Sequence, residues 1–285
     1  MKTIENNFFE GERPLFAEKD LHLKNVKIGV GESALKEASN IKASGCTFGG
    51  KYPFWHNTNS IIEDSLFTPG GRAAIWYCKD LRMLNTRVEA PKMFREIDGL
   101  YLENVELTDA QECLWWCKNI KLKDIKVKNG DYIFKNSKNI QIEDLNLQGN
   151  YGFQYARNVE IRNSVIHSKD AFWNTENVTV YDSVIKGEYL GWHSKNLRLV
   201  NCIIGGTQPL CYAKNLVMEN CKMKENADLA FEYSTLKAEI NSPVTSVKNP
   251  TEGEILAQSI GEVIFDENCK NPGGCKITVE SEVNV

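Results

Sequence analysis

The chain has 285 residues, with 34 Lys and Arg against 38 Asp and Glu, a formal net charge of −4 and a pI near 5.7. That balance argues against general nucleic-acid binding, which needs a clustered positive surface, and no stretch approaches the roughly 18 apolar residues of a membrane span. The opening MKTIENNFFEGERPLF has no apolar run behind a basic start, so no secretory signal is visible and the expected location is the cytoplasm.

Residues 1–18 precede the first repeat and are expected to cap one end of it. From Asp20 an Asn or Asp recurs every 19 to 21 residues, at Asn40, Asn59, Asp80, Asn119, Asn139, Asn158, Asn177, Asn196 and Asn215, with Gly99 filling the gap. A second series follows five residues behind: Asn25, Asp64, Asn85, Asn104, Asp124, Asp144, Asn163, Asp182, Asn201 and Asn220, with Gly45 in its gap. A fixed period of this length marks a repeat architecture. With the first series as position zero, positions +1 and +3 are aliphatic, as in Ile120 and Leu122 or Leu197 and Leu199, which is the alternation of a half-buried strand. Position +8 is apolar in every repeat, so a second strand follows a bend at +5. Asn and Asp suit such bends because they tolerate left-handed backbone and bond to nearby main chain. Stacked once per coil, their side chains are placed to form ladders.

Two strands do not close a coil of about 20 residues. A third is expected before position zero, in AAIWYC, CLWWC, YIFKNS, GFQYA, AFWNT, LGWHS and LCYA. The fold class is therefore all-β: a right-handed parallel β-helix, a solenoid of about 11–12 coils across residues 19–240, with the right hand following from the crossover preference. A leucine-rich-repeat solenoid needs a helical segment and an LxxLxLxxN pattern in each unit, and neither is present. The repeat decays after Thr235, and residues 241–285, with the turn signals NSPV, KNPTEG and NPGG, are expected to form a C-terminal cap or small β extension of the same domain.

Five of the nine cysteines, Cys46, Cys78, Cys117, Cys202 and Cys221, fall in columns that elsewhere hold small residues, which points to packing. Cys113 with Cys117, and Cys269 with Cys275, lack the paired spacing of a zinc site, and no metal or cofactor is expected.

The unusual chemistry gathers in the third segment. Trp55, Trp76, Trp115, Trp173 and Trp192 occupy one column, four residues before the anchor, with Trp116 adjacent; Lys36, Arg95, Lys135 and Gln154 share the column. Charged residues are almost never buried unpaired, so this column should face water or a groove. The next column carries His56, Tyr77, Glu96, His193 and Tyr212. The column at −5, from Leu15 through Phe54, Phe94 and Phe172 to Leu210, is the core candidate. In the turn before it, Lys51, Arg72 and Lys92 lie on consecutive coils, followed by Glu112 and Asp131, with Lys169, Asp170 and Glu188 further along. Cations beside carboxylates suit a carboxylate-bearing saccharide, the former holding it and the latter supplying acid/base groups. The expected substrate-binding set is Trp55, His56, Arg72, Trp76, Tyr77, Lys92, Trp115, Trp116, Tyr132, Trp173, Tyr189, Trp192, His193 and Tyr212. If the chain is an enzyme, a lyase, hydrolase or isomerase, the groups to carry chemistry are Arg95, Glu96, Asp131 and Asp170. The competing reading is a non-catalytic binding or scaffold protein that uses the aromatic face.

The coil pattern, with GESALK (31–36), YPFWH (52–56), RAAIWY (72–77), APKMFRE (90–96), GDYIF (130–134), KDAFWN (169–174), GEYLGWHSKNL (187–197), GTQPLCY (206–212) and FEYS (231–234), resembles a bacterial family of unknown function. Its members look like single-stranded right-handed β-helices of the pectin-lyase-like superfamily. The resemblance covers nearly the whole chain and implies the fold and a leaning toward carbohydrate; it brings no catalytic residues. The chain departs from secreted pectate lyases in lacking an export signal and an acidic cluster for calcium.

Overall fold

The computed structural model describes residues 1–280, all β, and its strands pair in parallel. The described chain separates into two compact units, Met1–Gly149 and a second from Asn150 onward.

In the first unit the strands Lys2–Glu5, Lys19–Lys24, Ser39–Ser44, Thr58–Glu63, Lys79–Val88, Asp98–Leu107, Lys118–Val127 and Lys138–Gln148 stack as eight rungs, each in register with the next. Leu81, Leu100, Ile120 and Ile140 are register partners, so this inward column is an apolar file over four coils, with the buried Ser60 as the partner of Leu81 on the coil before. The second unit repeats the design in seven rungs: Arg157–Arg162, Glu176–Tyr181, Lys195–Val200, Leu216–Met223, Thr235–Lys248, Glu252–Ile264 and Cys275–Val279. The coils therefore exceed the expected eleven or twelve. Residues 1–18 hold strands Lys2–Glu5 and Phe8–Glu12, paired like any other coil. Residues 241–280 continue the parallel pairing rather than departing from it.

The Asn/Asp columns are bends, and the reason is conformational. Every anchor from Asp20 to Asn215 has positive φ, as does every residue of the +5 series, and Gly99 (φ +82°) and Gly45 (φ +65°) fill the gaps in the same state. The amides also form ladders: Asn40 Nδ2 donates to Asp20 Oδ1 at 3.0 Å, Asn59 to Asn40 at 2.7 Å, and Asn196 to Asn177 at 2.8 Å. Where Gly99 interrupts the anchor file, Asn119 donates instead to the preceding Asp98 at 2.7 Å.

Position +6 behind the second bend has its own device. The backbone N–H of Cys46 donates to Ser65 Oγ at 3.1 Å and that of Ser164 to Ser183 Oγ at 3.0 Å, so a hydroxyl of the next coil replaces a ladder carbonyl. Cysteines occupy such files as small buried groups: Cys46, Cys78, Cys117, Cys202 and Cys221 are buried thiols, and burial pushes Cys78 and Cys117 up to about 12, which leaves them inert.

The third side corrects the expectation of a third strand. Among the described residues, strands form there at Ile75–Trp76 and Phe94–Arg95, with single parallel bridges from Arg95 to Trp115 and from Ala230 to Val247; the rest of the segment is a run of turns. Its residues alternate through left-handed backbone: Glu112, Leu114 and Trp116 in one coil, Asp170, Phe172 and Asn174 in another. Hydrogen bonds still run from coil to coil, as in Glu112 N–H to Asp131 O (2.9 Å) and Asn174 N–H to Trp192 O (2.9 Å), so the main chain is satisfied without a strand. The −5 column is core as expected: Phe54, Phe94, Phe134, Phe153 and Phe172 are fully buried.

Candidate functional site

The third side positions every candidate residue, and each unit builds its own version. In the first unit the −4 column is a layered stack. Trp55 and Trp76 lie face to face at 5.2 Å with 11° between planes, Arg95 sits over Trp76 at 4.3 Å and over Trp115 at 4.9 Å, and Lys135 covers Trp115 at 5.3 Å. In-register coils lie one strand spacing apart, and that spacing stacks planar groups along the axis. The indoles are fixed by one repeated hydrogen bond. Trp55, Trp76 and Trp115 each donate Nε1–H at 2.7 Å to the carbonyl seven residues before the next anchor, on Ala73, Lys92 and Tyr132.

This geometry changes what the aromatic column offers. The column is half-buried, and the stacked ring faces meet a neighbouring layer, so Trp55, Trp76 and Trp115 present edges rather than open faces. Open aromatic surface belongs to the −3 column, where Tyr77 is 38% and Trp116 47% exposed; His56 stacks on Tyr77 at 5.0 Å. Arg95 lies within 5.5 Å of the Trp116 ring as well, so three indoles surround one guanidinium. Among the described residues no carboxylate lies within ion-pair distance of Arg95, and its Nε–H has no acceptor. Lys92 pairs with Glu112 at 2.9 Å, while Arg72 and Glu96 are exposed. The Asp131 carbonyl accepts from Glu112 N–H, which places Asp131 in the turn of the coil after Glu112, and the Tyr132 ring lies under Lys135 at 5.3 Å. Lys135 was not among the expected site residues; its place in the −4 column is the signal that marks it.

In the second unit the column continues as Gln154, Trp173 and Trp192. Trp192 keeps the repeated bond, to Gln208 O at 2.8 Å. Trp173 does not: its buried Nε1–H has no acceptor, and the buried Oε1 of Gln154 has no donor. Asp170 is 9% exposed, and burial holds its carboxyl above the usual range. Lys169 beside it pairs with Glu188 at 3.3 Å and covers the Tyr189 ring. Further on, Tyr189 and Trp192 meet edge to face at 5.0 Å, His193 stacks on Tyr212 at 4.7 Å, and Tyr233 and Lys270 extend the file. Burial holds His193 below its ordinary value. Gln154, Tyr233 and Lys270 are not among the expected site residues; Gln154 lies in a column already singled out, whereas Tyr233 takes the place beside Tyr212 that the sequence register assigns to Glu232.

Of the expected residues, Trp55, His56, Arg72, Trp76, Tyr77, Lys92, Arg95, Glu96, Trp115, Trp116, Asp131 and Tyr132 fall in the first unit, and Asp170, Trp173, Tyr189, Trp192, His193 and Tyr212 in the second. A surface depression of about 410 Å³ lined by Val217, Lys237, Glu254 and Leu256 involves none of them. Among the described residues no cluster of His, Cys, Asp or Glu is placed to hold a metal ion, and no helix is long and apolar enough to cross a membrane.

Residues 2–278 match the family described as "Protein of unknown function (DUF3737)". The chain belongs to that family. No curated protein sequence matches this DUF3737 chain. Among solved structures it is similar to the A-module of the mannuronan C-5 epimerase AlgE4 of Azotobacter vinelandii, at 11% identity over 98% of this chain and 91% of that one, with a TM-score of 0.38. It is similar to PfbA, a surface adhesin of Streptococcus pneumoniae, at 8% identity over 94% and 85%, TM-score 0.43. A family 28 exopolygalacturonase of Yersinia enterocolitica is 9% identical over 97% and 71%, TM-score 0.36. No activity is carried over from them to the DUF3737 chain.

Proposed function

We propose that this protein binds carbohydrate, and that the third side of its first unit takes an acidic, uronate-type saccharide. The observation that carries the reading is Arg95: a guanidinium held among Trp76, Trp115 and Trp116, with no carboxylate partner among the described residues. Arg presents a planar fork that matches a carboxylate bidentately, and here stacking fixes its plane before any ligand arrives. Aromatic neighbours do not neutralise the charge, so the fork stays available. Trp116 and Tyr77, the open rings of the adjacent column, supply apolar surface for a sugar's C–H face. Lys135 adds a second cation two coils on, across the Trp115 ring from Arg95. Holding is preferred to turnover in this unit because Glu112 is engaged by Lys92 and Glu96 stands exposed, which leaves neither held against Arg95.

The test is calorimetric titration with oligouronates and with neutral oligosaccharides of matched length. Acidic ligands should bind in preference to neutral ones and weaken with added salt. Arg95→Ala should reduce affinity at least about tenfold, the loss of one hydrogen-bonded charge pair, while circular dichroism remains that of the parent. Equal affinity in parent and Arg95→Ala protein would sink the proposal.

A further inference from the structure

The second unit holds a groove on the outer face of four rungs, from Leu216–Met223 to Cys275–Val279. Val217, Lys237, Glu254 and Lys276 are register partners on successive rungs and form one wall. Glu239, Leu256 and Thr278, each two residues further along its strand, form the other. Between the walls Met218, Ala238 and Ile255 are buried and point inward, so the floor is main chain. The resulting depression of about 410 Å³ is in the size range of small-ligand sites. A β-bulge shapes one end. Met218 pairs with Ala238 and Cys221 with Ile240, so Glu219 and Asn220 together face Glu239 alone. Bulges re-aim side chains, and here Arg198 Nη2 on the rung before donates to both Glu219 oxygens, at 2.8 and 3.1 Å.

Two ion pairs cancel along this face: Arg198 with Glu219, and Lys237 with Glu254 at 3.0 Å. Glu239 and Lys276 are left, with no ion-pair partner among the described residues. They stand on opposite walls two rungs apart, about 10 Å along the stack, with Leu256, 38% exposed, on the rung between. We propose that this groove binds a short peptide with free termini and an apolar side chain, its ammonium on Glu239 and its carboxylate on Lys276. An extended chain advances about 3.3 Å per residue, so three residues cover the interval. The apolar side chain meets Leu256, Val217 and the aliphatic stems of Lys237 and Lys276. The two leftover charges select this class. An alkylammonium ion pairs with Glu239 but adds a cation beside Lys276; a fatty carboxylate does the reverse; a neutral sugar uses neither charge. A zwitterion of this length pairs both. Exposed ion pairs are weak, so the dissociation constant is on the order of a millimolar. No residue of the Arg95 site lines the groove, so the two sites hold or fail separately.

The test is a methyl NMR titration of the full chain, with leucine and valine methyls labelled and the Leu256 resonances assigned by their loss in Leu256→Met. The tripeptide alanyl-leucyl-alanine should shift the Leu256 methyls saturably. Its N-acetyl and C-amide forms should each bind at least about threefold more weakly, the loss of one exposed charge pair. Glu239→Gln should weaken the free peptide by a like factor and leave the N-acetyl form unchanged; Lys276→Met should stand in the same relation to the C-amide form. Blocking a terminus tests each charge without altering the protein. Equal binding of free and blocked peptides, or Leu256 methyls that ignore all three at every concentration, overturns the proposal. Arg95→Ala leaves this titration unchanged, so failure here and failure at Arg95 are told apart.

Discussion

The residues that turn this coil fall into two chemical classes. At the first two bends the left-handed conformation is taken by Asn, Asp or Gly, which accept it readily. At the third, beside the candidate sites, it is taken by Glu37, His56, Tyr77, Glu96, Trp116, Tyr155 and His193, with buried Leu114, Phe134 and Phe172 nearby. Bulky residues in this region are strained and persist where their surroundings over-determine them. Asn196 isolates what the favourable class contributes, because it has φ +55°, donates to Asn177 and accepts from Asn215. Asn196→Gly keeps the backbone state and loses both ladder bonds, a destabilisation of about 1 kcal/mol for exposed bonds. Asn196→Ala loses the bonds and pays the left-handed penalty as well, about 2 kcal/mol or more in total. Urea unfolding of the three proteins should rank Asn above Gly above Ala; Ala equal to or above Gly contradicts this account of the bend.

At the scale of elements, the two strand segments and their bends are legible in sequence because each has a dedicated signal. Aliphatic alternation marks the strand, as in Ile120 and Leu122, and Asn or Asp marks its end. The third segment is not legible as turns. AFWNT and CLWWC carry the aromatic residues of a strand, and their left-handed positions hold Phe172, Asn174, Leu114 and Trp116 instead of a run of Asn and Gly. Column membership depends on the repeat spacing and not on strand geometry, so Trp55, Trp76, Trp115 and Trp192 make the same bond to the next coil from a run of turns. What the sequence did not reveal is the consequence of stacking: a column of rings on in-register coils covers its own faces. The interlayer contact can be measured. Arg95 lies 4.3 Å from the Trp76 ring, so a double-mutant cycle of Trp76→Ala with Arg95→Met should give a coupling of about 0.5–2 kcal/mol. The same cycle between Arg95 and Trp192, which belongs to the second unit and has its own bond to Gln208, should give coupling within about 0.5 kcal/mol of zero. Comparable values in the two cycles would mean that Arg95 acts on stability through something other than the ladder.

For the molecule as a whole, a solenoid distributes its core along the chain instead of gathering it at one centre, since each coil packs on its neighbours. The fully buried phenylalanines show this locally. Phe54 meets Phe48 at 5.1 Å and Phe67 at 6.2 Å in the first unit, while Phe172 stacks on Phe153 at 5.0 Å in the second. Either Phe→Ala change removes a large buried ring from a close-packed file, with an expected loss of about 3–5 kcal/mol. Where that loss is felt distinguishes a one-dimensional array from a single cooperative core. In an array, Phe54→Ala speeds amide hydrogen exchange most in the rungs Ser39–Ser44, Thr58–Glu63 and Lys79–Val88, and Phe172→Ala in Arg157–Arg162, Glu176–Tyr181 and Lys195–Val200. The losses in the double variant then add to within about 0.5 kcal/mol, because the two rings share no partner. Exchange that rises equally in both units after either single change would reject the array. It would also mean that ligand binding at Arg95 is linked to the stability of both units, whereas local losses leave it a property of the first unit alone.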